Sequence, residues 1–135
     1  MFAVLVIAAI GCGGSKVAVS PLSQEANAAC KGSPLSKPVR LPASWPKMSS
    51  VTFTRQETLG PTEIVEGHFT GDVKKAHDEF KRELEAAGYT ILFDELEARD
   101  SEVSWKHAGR SGQVALRLEC GTSDKTYVKI TNRAA

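Results

Sequence analysis

The chain has 135 residues, 41% of them hydrophobic, which is enough for one domain with a modest core. Seventeen Lys and Arg against sixteen Asp and Glu leave a net charge of +1. No global field therefore draws the chain to nucleic acid or to an anionic membrane face.

At the start, Phe2 to Ile10 form an apolar run that stops at Gly11-Cys12, and Gly13-Gly14-Ser15 follows. Such a run is too short to cross roughly 30 Å of hydrocarbon. The stretch resembles a bacterial lipoprotein signal: an apolar segment, a small residue before cysteine, then a thiol that is lipidated before cleavage. Ile10 and Gly11 fit that pattern, whereas Ala9 stands where leucine is usual and no Lys or Arg precedes Lys16. The resemblance implies removal of residues 1–11, acyl chains such as palmitate at Cys12, and an extracytoplasmic protein whose lipid anchor holds it to the cell membrane. The alternative is an ordinary buried N-terminal segment that ends in Gly-Cys. A signal cut after Ala26-Asn27-Ala28 would lie too far beyond the apolar run.

Cysteine usage agrees with export. Lipidating Cys12 leaves Cys30 and Cys120, which outside the cytoplasm are expected to form a disulfide. Two unrelated buried thiols are the alternative. No CxxC or Cys/His cluster is present, so neither a bound metal nor a cofactor is expected.

Residues 13–50 hold five of the six prolines, Pro21, Pro34, Pro38, Pro42 and Pro46, among Ser, Ala, Gly and Lys. Lacking an apolar period, this part is expected to be extended or disordered, a tether between the lipid and the domain. Leu41-Pro42-Ala43-Ser44-Trp45-Pro46 is expected to be fixed to the domain, with Trp45 packed on it. The predicted organisation is a signal peptide at 1–11, a tether at 12–44 and a globular domain at 45–135.

From Val51 the periods are clear. Val51 and Phe53, then Val65 and Phe69, alternate with polar residues and read as half-buried strands around a turn at Leu59-Gly60-Pro61. In the next segment Val73, Ala76, Phe80, Leu84 and Ala87 recur at three and four, an amphipathic helix capped by Asp72 and ended by Gly88. The period then returns to two: Tyr89, Ile91 and Phe93 on one side, then Val103 and Trp105. Gln113–Cys120 reads as a strand with Val114, Leu116, Leu118 and Cys120 inward, and Thr126–Arg133 as the last. Short turn-rich links at 109–112 and 121–124 favour antiparallel neighbours. The expected fold is α+β, one helix on one face of a curved antiparallel sheet, in the order β-β-α-β-β-β-β.

Trp45 to Arg133 is similar to small exported bacterial domains of uncharacterised function, which share a helix ending in Leu-x-x-x-Gly-aromatic before a meander. Here that signature is Leu84-Glu85-Ala86-Ala87-Gly88-Tyr89. It bears on the fold and implies no activity.

Chemistry-bearing motifs are sparse. His77 sits at the border of the helical stripe and reads as a partly buried helix histidine; His68 falls with Glu66 on the polar side of its strand. His107 ends a strand near a turn. Asp94, Glu95, Glu97, Asp100 and Glu102 place five carboxylates in nine residues. They lack EF-hand spacing and read as a solvated hairpin edge that discourages edge pairing. There is no nucleophile elbow, phosphate loop, HExxH or dinucleotide fingerprint, so no catalytic residue is assigned. Lys106, Arg117, Lys129 and Arg133 are expected to alternate outward on the later strands, among Glu102 and Glu119, as a face for an envelope protein. The function expected is a non-enzymatic lipoprotein, a binding or interaction module of the cell envelope. The alternative is a small envelope enzyme or inhibitor with its site near His107 and the acidic loop 94–102. A ligand carrier would need a cavity between helix and sheet, which Phe69, Phe80, Phe93 and Trp105 are expected to fill.

Overall fold

The computed structural model describes residues 21–121 and 124–135. The apolar N-terminal run and Cys12 lie outside the described residues. Eight elements follow one another: α1 (Pro21–Lys31), β1 (Val51–Leu59), β2 (Thr62–Thr70), α2 (Val73–Ala86), β3 (Thr90–Leu96), β4 (Asp100–His107), β5 (Arg110–Arg117) and β6 (Lys125–Ala134). The strands form one antiparallel sheet in the order β1-β2-β6-β5-β4-β3. The β1-β2 hairpin and the β3-β4-β5-β6 meander meet at the β2–β6 seam, where Val65 faces Ile130 and Gly67 faces Val128. The architecture is thus α+β around an open antiparallel sheet.

One face carries the main core. Phe69, Val103, Trp105, Val114, Leu116, Val128 and Ile130 point to α2, which returns Val73, Ala76, Phe80 and Leu84. Asp72 caps α2 by accepting from the Lys75 amide at 2.8 Å. Gly88, at φ 87°, ends it, and the Tyr89 amide then donates to Leu84 O. Beside α2 the same face is closed by residues 33–50, which cross it as a strap. Trp45 lies edge-on to Tyr89 and Trp105, ring centroids 5.6 and 5.4 Å away, and Leu41 and Met48 pack beside it. The Arg40 carbonyl accepts from Asn132 Nδ2, and Asn132 Oδ1 accepts twice from Arg110.

The other face holds a second helix, which corrects the predicted order and the single helix. α1 arises from the segment expected to be extended. Its prolines flank it rather than interrupt it: Pro21 opens the helix and the next, Pro34, comes after Gly32. Ala26, Ala29 and Cys30 at spacings of three and four form a narrow stripe of small side chains. These pack with Tyr127 and Cys120 over the β1-β2-β6 half of the sheet. Cys30 and Cys120 form a disulfide that ties α1 to the chain after β5. Thr54 Oγ1 donates to Ala29 O at 2.7 Å beside it.

Three finer expectations are also corrected. A β-bulge between Ile91 and Phe93 breaks the alternation of β3, so Phe93 faces away from α2 and is 52% exposed. The Ala108-Gly109 pair alone turns β4 into β5, both residues at positive φ as a two-residue hairpin demands, and Arg110–Gly112 belong to the strand. β5 ends at Arg117, so Cys120 has left the ladder and lies in the α1 cluster, not with Val114 and Leu116.

Candidate functional site

α1 covers only part of its face. Over β3, β4 and β5 that face is open, and it carries the side chains opposite in parity to the α2 core. Lys106, Arg117, Lys129 and Arg133 all fall on it, as their cross-strand registers show. They are not equivalent. Lys129 reaches Glu25 of α1 at 3.5 Å, and Arg117 holds Glu102 at 3.3 Å while donating to the Ser101 and Leu116 carbonyls. Lys106 and Arg133 are exposed and, among the described residues, have no ion pair. They flank Ser111 on neighbouring strands, so their Cβ atoms are about 10 Å apart.

Next to this pair runs a shallow groove of about 390 Å³, lined by Thr62, Leu92, Ser111, Gln113, Thr131 and Arg133. Gly112 lies in its floor. A Cβ there would run into the Thr131 carbonyl and come within 2.6 Å of the Trp105 ring packed behind it. Leu92 and Phe93, turned outward by the bulge, form the apolar side of this face. A second concavity of about 430 Å³ lies between the strap and β1, lined by Leu41, Pro42, Trp45, Met48, Val51 and Phe53. The space between α2 and the sheet is filled, with Phe69, Phe80, Leu84 and Trp105 all buried; Phe93 takes no part in filling it.

The acidic segment forms the end of β3, the turn and the start of β4. Asp94 is drawn below the ordinary carboxylate range by its 2.6 Å bond to Lys81 of α2. Glu95 is shifted the other way, first by a hydrogen bond shared with Glu97, then by the Glu97 charge, with Glu102 and Asp100 adding to it. Of the five acids only Asp94 and Glu102 have an ion pair among the described residues, which leaves the edge acidic.

The histidines are separate. His77 is buried, with Nδ1 2.5 Å from Ser101 Oγ, and Ser101 is fully buried. The pair joins α2 to β4 in a place closed to a substrate. His107 stacks on Tyr89 at 4.2 Å, and its Nδ1 lies 3.2 Å from Gly88 O. It lies at the far end of β4 from Asp100, seven residues or about 23 Å away, so the structure does not bring His107 and the acidic loop together. His68 faces α1, and burial with the nearby Lys125 pushes it down. Among the described residues no group of three or more His, Cys, Asp or Glu is arranged to hold a metal ion.

Sequence reasoning missed the polar cluster under α1. Glu66 is buried at the interface with Arg55 3.4 Å away; burial raises its carboxyl above the ordinary range, and Arg55 offsets part of this. Burial, with the Glu66 charge second, pushes the Tyr127 phenol far up. Of the cluster only Tyr127 packs against the buried stripe of α1. The only sign of it in the sequence was Ala26, Ala29 and Cys30 at helical spacing.

Compared with protein-family models, with curated proteins and with solved structures, the chain matches none. Its function is therefore read from its own geometry.

Proposed function

We propose that this protein is a non-enzymatic lipoprotein, anchored outside the cytoplasm by acyl chains on Cys12, that serves as a binding module in the cell envelope. The observation that supports this most is the Cys30–Cys120 bridge. A structural disulfide across 90 residues persists in an oxidising compartment, and it leaves Cys12 as the odd thiol. The acylated cysteine supplies the anchor that an apolar run of this length does not. The open sheet face supplies the binding surface, with the unpaired Lys106 and Arg133 and the apolar Leu92 and Phe93 available to a partner.

The test is the intact mass of the protein taken from its host membrane in mild detergent. A chain that begins at Cys12, carries acyl groups and is two hydrogens light supports the reading. An unprocessed, reduced chain overturns it.

A further inference from the structure

The sheet has two edge strands, β1 and β3, and the chain treats them in opposite ways. The strap covers the outer edge of β1. Leu35 N donates to Phe53 O at 2.9 Å, Arg40 N to Gln56 Oε1 at 3.0 Å, and Gln56 Nε2 to Pro38 O at 3.1 Å. β3 pairs with β4 on one side, and among the described residues nothing pairs with its other side.

An unpaired edge is ordinarily blunted with lysine, proline or inward charge. β3 has a bulge and the inward Asp94, but Lys81 of α2 neutralises that charge, and the strand has no lysine or proline and keeps a large apolar surface. Of the four exposed large hydrophobic residues among those described, Leu92 (56%), Phe93 (52%) and Leu96 (41%) lie on this strand. Its bulge, often a device that hides an edge, here turns two of them outward. Around them stand Glu95, Glu97 and Glu102, of which Arg117 neutralises Glu102 alone. Arg99, in the turn, forms no ion pair with them.

We propose that the free edge of β3 is a docking strand for an extended basic segment of a partner protein, which adds as a further strand of the sheet. Main-chain hydrogen bonds supply the attachment and side-chain pockets the selectivity. Phe93 and Glu95 lie two residues apart on the open face. The fitting segment therefore carries an apolar residue against Leu92 and Phe93 and a Lys or Arg two positions along, against Glu95. The acids also argue against a second copy as the occupant. Pairing β3 with itself in parallel, or antiparallel about residues 94–97, would gather Asp94, Glu95 and Glu97 of both copies in one seam, and like charges placed opposite repel. This inference deepens the binding-module reading and rests on it, naming the partner's chemistry.

The probe is a short synthetic peptide alternating valine with lysine, titrated against the full-length protein in detergent. Its controls are a valine–glutamate peptide and a valine–lysine peptide whose amides along one edge are methylated. The expected results are binding, slowed hydrogen exchange of the amides of residues 90–96, and loss of about tenfold or more in affinity on methylation. Glu95→Lys should weaken the valine–lysine peptide by a similar factor and create binding of the valine–glutamate peptide. No binding at about 1 mM peptide overturns the proposal. So does equal binding of the methylated peptide, which would mean charge attraction without strand addition. Self-association abolished by Phe93→Lys would overturn it in favour of a second copy. None of these outcomes changes the mass expected at Cys12, so a failure here is distinct from failure of the anchored-module reading.

Discussion

Replacing Cys30 and Cys120 by serine, with Cys12 also serine in both proteins compared, isolates what the bridge contributes. The bridge spans 90 residues, so in the chain-entropy model it restricts the unfolded state by about 4–5 kcal/mol. What else holds α1 is small. Among its described side chains only Ala26, Ala29 and Cys30 are buried, and two buried methyl groups contribute about 1.5 kcal/mol. The Thr54–Ala29 hydrogen bond adds about 1 kcal/mol, and the partly exposed Lys129–Glu25 pair less than about 1 kcal/mol. Against this stands the cost of ordering α1, about 1–2 kcal/mol per residue. Without the bridge, α1 is therefore expected to leave the sheet while the α2 core stays folded. Denaturant unfolding should show the loss of about 4–5 kcal/mol, a fall in Tm of roughly 15–20 °C. Hydrogen exchange should show α1 amides unprotected and β4–β5 amides still slow. A loss under about 1 kcal/mol with α1 still protected would refute the reasoning, because helix packing would then hold α1 unaided.

Further outcomes follow from the packing. Gly112→Ala drives a methyl into the Thr131 carbonyl and the Trp105 ring and should cost about 3 kcal/mol or more by thermal denaturation. Arg117→Ala removes hydrogen bonds to two carbonyls and to Glu102 and should cost roughly 1–2 kcal/mol. In the same melts Lys106→Ala and Arg133→Ala, which break no ion pair, should change stability by less than about 0.5 kcal/mol. Glu66 gives a pH signature. Its carboxyl is raised above its ordinary 4.5 by burial, so the native state binds the proton more tightly than the unfolded chain. The stability tied to this group falls as pH rises from 4.5 through the folded value. Arg55 is exposed enough for water to replace its partner, so Glu66→Gln should raise Tm over the parent protein most near about pH 7. That advantage should disappear below 4.5; a constant difference across pH would show that Glu66 is not the cause.

The helix α2 and the inward positions of β4 and β5 were legible because each has one dry face and one wet face, which the period records directly; β2 and β6 kept an apolar inward set although α1 covers part of their other face. Asp72 and Gly88 marked the ends of α2 for the same local reason: cap chemistry depends on the residue itself. α1 was hidden because its buried stripe is made of alanine and cysteine, whose small apolar surface leaves a weak pattern among prolines. Phe93 was misplaced because a bulge inserts one residue and reverses the parity of everything beyond it until the ladder resumes. Nothing local in Ile91-Leu92-Phe93 announces that shift. For the site, the common face of Lys106, Arg117, Lys129 and Arg133 followed from alternation alone. Which of them are already engaged depended on Glu25 and Glu102 arriving from distant parts of the chain. The unprotected edge of β3 depended on strand order, which no window of sequence contains.

The placement of the bridge has a mechanical consequence. Tension applied to the chain ahead of Pro21 enters α1 and crosses at Cys30 to Cys120, which lies between β5 and β6 in the middle of the sheet. The strap and β1, next in sequence, are bypassed and carry no load. A pull that would otherwise peel β1 from β2 one hydrogen bond at a time is delivered instead through a covalent link to the interior strands. With a partner held at β3, the line of force would run through β5 and β4, and the strap would stay slack over the aromatic core it covers.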